Sequence, residues 1–134
     1  MRKLIALFLV ISILNCSGKK ETSELNGKWI PVMQEIGGMQ LPESAFTDQY
    51  LLIEDDQYTV QSENLDKGTV IIDGNRIDIH GQDGPNAGKT FKAIYKLEKE
   101  KLIICYNLNG DSYPEKFSTE GQAMFFMATF KKAD

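Results

Sequence analysis

From residue 25 onward, apolar side chains recur at every second position in short runs broken by turn-forming residues, and no long stretch carries the spacing of a helix. That period matches the pleat of a β-strand, in which successive side chains point to opposite faces. Eight runs carry it: Lys28–Gln34, Tyr50–Glu54, Gln57–Ser62, Gly68–Asp73, Arg76–His80, Thr90–Glu98, Lys101–Asn107 and Ala123–Lys131. Asp55-Asp56, Gly74-Asn75 and Lys99-Glu100 are connections short enough to make hairpins of their neighbours, so the order is an antiparallel meander. Eight strands suffice to close such a sheet into a barrel, which hides its edges. The expected fold class is therefore all-β, with about eight antiparallel strands closed into a barrel. Alternation assigns Trp29, Leu51, Ile53, Val70, Ile72, Ile77 and Ile79 to the inner face, then Phe91, Ala93, Tyr95, Leu97, Leu102 and Ile104, with Phe125 and Met127 completing the set. Ser112–Phe117 reads as an extension or cap of the seventh strand. Glu35–Gln49, with Gly37-Gly38, Pro42 and a short helical turn at Glu43–Phe46, breaks the pattern and is long enough to cover one mouth.

The first 15 residues are of a different kind. Arg2 and Lys3 precede an apolar run from Leu4 to Leu14 that only Ser12 interrupts, the form of an export signal. At about 1.5 Å per residue the run reaches only ~16 Å, too short for the roughly 30 Å hydrocarbon core of a bilayer. Ile13-Leu14-Asn15-Cys16, followed by the polar stretch Ser17 to Ser23, resembles the lipobox of bacterial lipoproteins, with Asn15 where a smaller residue is usual. The resemblance implies acylation of Cys16, and several acyl chains together form an anchor that scarcely exchanges. The organisation is then a signal peptide over 1–15, a tether over 16–24 and a barrel domain over 25–132. With Cys16 lipidated, Cys105 has no partner for a disulfide within the chain. Lying in the apolar run Leu102–Tyr106, it reads as a small buried hydrophobe rather than a nucleophile.

A second resemblance rests on the strands themselves. Asn26-Gly27-Lys28-Trp29 carries a Gly-x-Trp similar to the lipocalin signature, with Lys131-Lys132 where related barrels place a basic residue across the tryptophan. Gly88 to Leu97 with its Ile94-Tyr95-x-Leu97, Leu102-x-Ile104-Cys105, and Pro114-x-x-Phe117 follow in order. Together they resemble a family of small exported bacterial lipocalin-like domains of uncharacterised function, across about residues 25 to 132. Ala93 and Tyr113 stand where that family has glycine and arginine. The resemblance implies a lipocalin-like barrel and no established chemistry.

Charge and composition exclude several classes. The chain after Asn15 lacks Arg2 and Lys3 and so carries 13 bases against 19 acids, a balance that argues against a nucleic-acid partner. One histidine and two cysteines leave no multi-histidine metal site and no zinc ribbon within this chain. Gly84 to Thr90 approaches a phosphate-binding loop, but Asp83 replaces its first glycine and the following residues alternate as a strand. His80 and Asp78 share a face that points to solvent. Glu54-Asp55-Asp56 and Asn107 to Asp111 offer oxygen ligands, yet Ser118 stands where a calcium loop needs glutamate, and turn chemistry accounts for both segments.

The reading is an exported, lipid-anchored, monomeric protein of the cell envelope, without catalysis, metal or cofactor. Two functions stay open. Trp29, Tyr95, Tyr106 and Phe117 around an open mouth would bind a small hydrophobic or amphipathic ligand; alternatively, side chains fill the barrel and its outer face serves as a structural or protein-interaction module.

Overall fold

The computed structural model describes residues 24–134. The signal peptide, the lipidation of Cys16 and the tether up to residue 23 lie outside the described residues. Nine strands follow in chain order: β1 (Gly27–Ile36), the two-residue β2 (Met39–Gln40), β3 (Tyr50–Glu54), β4 (Gln57–Gln61), β5 (Leu65–Asp73), β6 (Arg76–Asp83), β7 (Thr90–Glu98), β8 (Lys101–Asn107) and β9 (Phe125–Lys132). All pair antiparallel with their neighbours, and β9 pairs back onto β1 from Trp29↔Lys132 to Ile36↔Phe126. β2 only extends the edge of β1, so β1 and β3 to β9 form a closed eight-stranded barrel. Closure leaves no long unpaired edge to recruit another chain.

The two ends differ. At one, the connections are Asp55-Asp56, Gly74-Asn75 and Lys99-Glu100, each turning with its first residue at positive φ (57°, 61° and 57°). Aspartate and glycine accept that backbone readily. At the other end lie the longer connections 37–49, which includes a 3-10 turn at Glu43–Ala45, and 62–64, 84–89 and 108–124. The turn end is packed shut. Trp29 is 2 % exposed, donates its indole N–H to the Leu25 carbonyl at 2.8 Å, and lies under Lys132, whose Nζ is 5.2 Å from the ring centre. Lys132 also donates to the Asn26 carbonyl at 3.1 Å.

Strand parity explains most of the inner wall, and three departures have physical causes. The β1–β9 register shifts between Pro31 and Met33, so a bulge turns Gln34 inward opposite Ala128. β5 begins at Leu65, three residues before its apolar run, because Leu65 to Lys67 pair with β4; the inner face thereby gains Asp66 and Gly68. In β9 the inner residues are Phe126, Ala128 and Phe130, not Phe125 and Met127. They face Tyr106, Ile104 and Leu102 across the β8 ladder, and side chains directly opposite share a face. Both faces of Phe125–Met127 are apolar, so alternation alone carried no phase there.

The second face is apolar because residues 112–119 do not extend β8. They form a strap on the outer wall. Tyr113 donates its hydroxyl to Asp78 on β6, with Arg76 and Lys92 4.5 and 4.6 Å from its ring centre. Lys96 lies 4.6 Å from the Phe117 ring, and the Cys105 thiol meets the Ser118 carbonyl at 3.8 Å. Thr119, fully buried, accepts from the Gly38 amide at 2.9 Å and donates to Glu35 at 2.8 Å. The strap thus covers Cys105, and both Cys105 and its β7 partner Ile94 are buried although parity points them outward.

Candidate functional site

The inner wall encloses a cavity of about 360 Å³. Its sides are mostly aliphatic, with Leu51, Val70, Ile77, Ile79 and Ile104 prominent, and aromatic rings from Phe91, Tyr106 and Phe126 join them. Leu25, two residues before β1, contributes at the turn end and serves as the floor that Trp29 fixes. Gln49, Ser62, Pro85, Asn86 and Leu108, from all four long connections, line the opposite side. The volume lies at the lower end of the ~300–1,000 Å³ typical of small-molecule sites.

The mouth is shaped by a close backbone approach. The connection 84–89 folds back over the inner side of β6, the Gly81 amide donating to the Lys89 carbonyl at 2.9 Å and the Gly88 amide to the Gly81 carbonyl at 3.0 Å. Only glycine fits at 81, because a Cβ there would sit 1.9 Å from the Asn86 carbonyl oxygen.

Two polar groups interrupt the apolar wall, a cluster at Asp66 and a pair of glutamines. Asp66 is 6 % exposed and lines the cavity. Its Oδ1 accepts from the Asn86 amide at 3.1 Å; its Oδ2 accepts from the Asn86 side-chain amide at 2.9 Å and from the Tyr58 hydroxyl at 3.1 Å. No lysine or arginine pairs with it among the described residues. Tyr106 packs against Phe126 in a tilted arrangement, with ring centres 5.7 Å apart. Elsewhere on the wall Gln34 donates to Gln49 at 3.1 Å.

Burial raises the Tyr58 phenol, helped by the charge of Asp66 and the hydrogen bond to it; burial also raises the Tyr106 phenol, with a smaller contribution from Tyr58. A phenol raised in the folded state contributes stability that is fully present below its unfolded value near pH ~10 and is lost as pH rises through the folded value. Stability should therefore fall above about pH 10, with Tyr58 and Tyr106 ionising only as the barrel opens. Ultraviolet titration of phenolate beside circular dichroism checks this: every tyrosine ionising together in an intact fold is the contrary result.

Of the four aromatic residues expected at the barrel interior or mouth, three are interior and one is not. Tyr106 lies on the cavity wall. Trp29 sits behind the floor, and Tyr95 is an inward core residue that does not reach the cavity. Phe117 is on the outer wall under Lys96, because its segment leaves β8 as a strap; its expected place at the mouth is corrected. Tyr58 and Asp66 were missed, Asp66 because a lone acid before Gly68 reads as loop. The available signal was Tyr58 in phase with Val60 on β4, which marks both as inward.

The remaining candidates resolve as surface or turn residues. His80 Nδ1 lies 3.1 Å from the Thr90 hydroxyl and Asp78 is engaged by Tyr113, so the two do not act as a pair. Asp55 exchanges hydrogen bonds with Asn26, and Asn107 donates to Asp111 at 2.8 Å. Among the described residues no group of three or more His, Cys, Asp or Glu is arranged to hold a metal ion. Gly84 to Thr90 leads into β7, a strand, and so lacks the helix N-terminus that a phosphate cradle uses. Burial pushes the Cys105 thiol up, the reverse of what a nucleophile needs. Comparison with protein-family models, curated proteins and solved structures finds no match to this chain.

Proposed function

We propose that this chain is an exported, lipid-anchored, lipocalin-like protein of the cell envelope that binds a small hydrophobic or amphipathic molecule inside its barrel. The observation that carries the binding is the cavity of about 360 Å³, whose wall is aliphatic and aromatic apart from a few polar side chains. Apolar ligands are held in such chambers by the area they remove from water, and the sparse polar groups orient them. The alternative of a barrel filled by side chains calls for an interior without such a void. Export and anchoring rest on the Arg2-Lys3 start, the apolar run and Cys16.

Mass spectrometry of the full-length protein from the envelope of the producing cell tests both parts. The denatured mass is expected to be that of a chain beginning at acylated Cys16, and the native mass to exceed it by one small molecule. In a thermal-shift panel, a binder at a hundred times its Kd adds about 2.7 kcal/mol, which moves the midpoint by roughly 10 °C in a domain of this size. A bare native mass with no shift across lipids and hydrophobes overturns the binding reading. An unprocessed, unacylated chain overturns the anchoring.

A further inference from the structure

The cavity carries a charge that its own fold does not neutralise. Asp66 projects from β5 into a mostly apolar chamber as its one charged side chain, and the three groups that donate to it, from Asn86 and Tyr58, are all neutral. Two of those donors engage Oδ2 and one engages Oδ1. A carboxylate accepts about four hydrogen bonds, so acceptor capacity remains. The Tyr106 hydroxyl, on the same cavity wall, can either donate or accept. A ligand that fills the aliphatic part of the chamber can bring its polar end against Asp66.

We infer that the cavity selects amphiphiles whose polar end is a protonated amine and rejects those ending in a carboxylate, with Asp66 as the residue that sets the preference. The inference rests on the binding reading above and narrows it to a ligand class. A second carboxylate would be desolvated beside the first, where like charges repel with little screening. An ammonium group supplies the missing positive charge and forms charge-assisted hydrogen bonds to Asp66, the stronger kind. The small volume favours a single alkyl chain or a single ring.

The test is calorimetric titration of the full-length protein, freed of bound ligand, with decylamine, decanol and decanoate at neutral pH and ~0.15 M salt, where exposed charges are screened beyond about 8 Å. Wild-type protein is expected to bind the amine at least about tenfold more tightly than the alcohol, and the carboxylate most weakly of the three. Asp66→Asn should remove the amine's advantage and leave decanol within about twofold. Asp56→Asn, which removes an exposed charge in the β3–β4 turn, should leave the ratio as it is. Decanoate binding as tightly as decylamine, or an amine preference that survives Asp66→Asn, overturns the selectivity while the binding reading stands. If none of the three probes binds and the hydrophobe panel is also silent, the binding reading itself falls. If Asp66→Asn does not fold, the wild-type comparison still tests the selectivity, since decanoate binding as tightly as decylamine overturns it.

Discussion

Gly81→Ala is expected to destabilise the barrel by about 3–5 kcal/mol, a large share of the ~5–15 kcal/mol that holds a typical domain together. The added Cβ would lie 1.9 Å from the Asn86 carbonyl oxygen and 2.5 Å from its carbon. Both are backbone atoms, so no side-chain rotation relieves the clash and the connection 84–89 must lift away. Overpacking typically costs about 1–3 kcal/mol. Lifting also breaks the two backbone bonds at Gly81 and withdraws both Asn86 donors from Asp66, leaving a buried carboxylate underpaired at about 1–3 kcal/mol. Gly68→Ala should behave similarly, since its Cβ would meet the His80 carbonyl oxygen at 2.0 Å. Gly74→Asn is the control: nothing lies within 4 Å, and asparagine accepts a φ of 61°. Urea denaturation followed by circular dichroism should show the first two midpoints falling well below wild type and the third within about 0.5 kcal/mol of it. A Gly81→Ala protein as stable as wild type would show that the loop does not pack on β6 as described.

These glycines also mark how far the sequence could be read. The barrel was legible because alternation repeats wherever one face is apolar and the other polar: Arg76-Ile77-Asp78-Ile79-His80 permits one phase only, and Tyr50–Glu54, Thr90–Glu98 and Lys101–Asn107 agree with the strands at both ends. The same logic lost its grip where both faces are covered. Phe125–Met127 faces the interior on one side and shares the outer wall of β8, which the strap partly covers, on the other, so its phase came only from the β8 pairing. The strap was hidden because Tyr113 and Phe117 pack by contacts distant in sequence, to Asp78, Arg76, Lys92 and Lys96, which no local pattern encodes. The site was least legible. Its aliphatic wall follows from parity, but its polar corner needs Asp66 to be in a strand and Asn86 to fold over it, and the second depends on the glycine at position 81.

Trp29→Ala is expected to cost about 3–5 kcal/mol, the range for removing a large buried aromatic side chain. The ring fills the turn end between Leu51, its partner on β3, and Lys132, its partner on β9, so the position lies at the seam where the last strand closes onto the first. Deleting it leaves a void under Leu25, loosens the floor of the cavity and removes the surface that covers the Lys132 stem. Trp29→Phe separates two contributions. Phenylalanine keeps most of the apolar volume but cannot donate to the Leu25 carbonyl, so its cost should be smaller, about 1–3 kcal/mol, and come from the lost hydrogen bond and partial void. Denaturant midpoints by circular dichroism measure both variants. The wild-type midpoint has an independent check, because Trp29 is the sole tryptophan of the chain and its emission reports the floor directly. If the floor and the barrel open as one unit, the fluorescence and dichroism midpoints coincide in wild type. A fluorescence change at lower denaturant would mean that the segment before β1 detaches first, and the cavity would then open from the turn end before the strands separate.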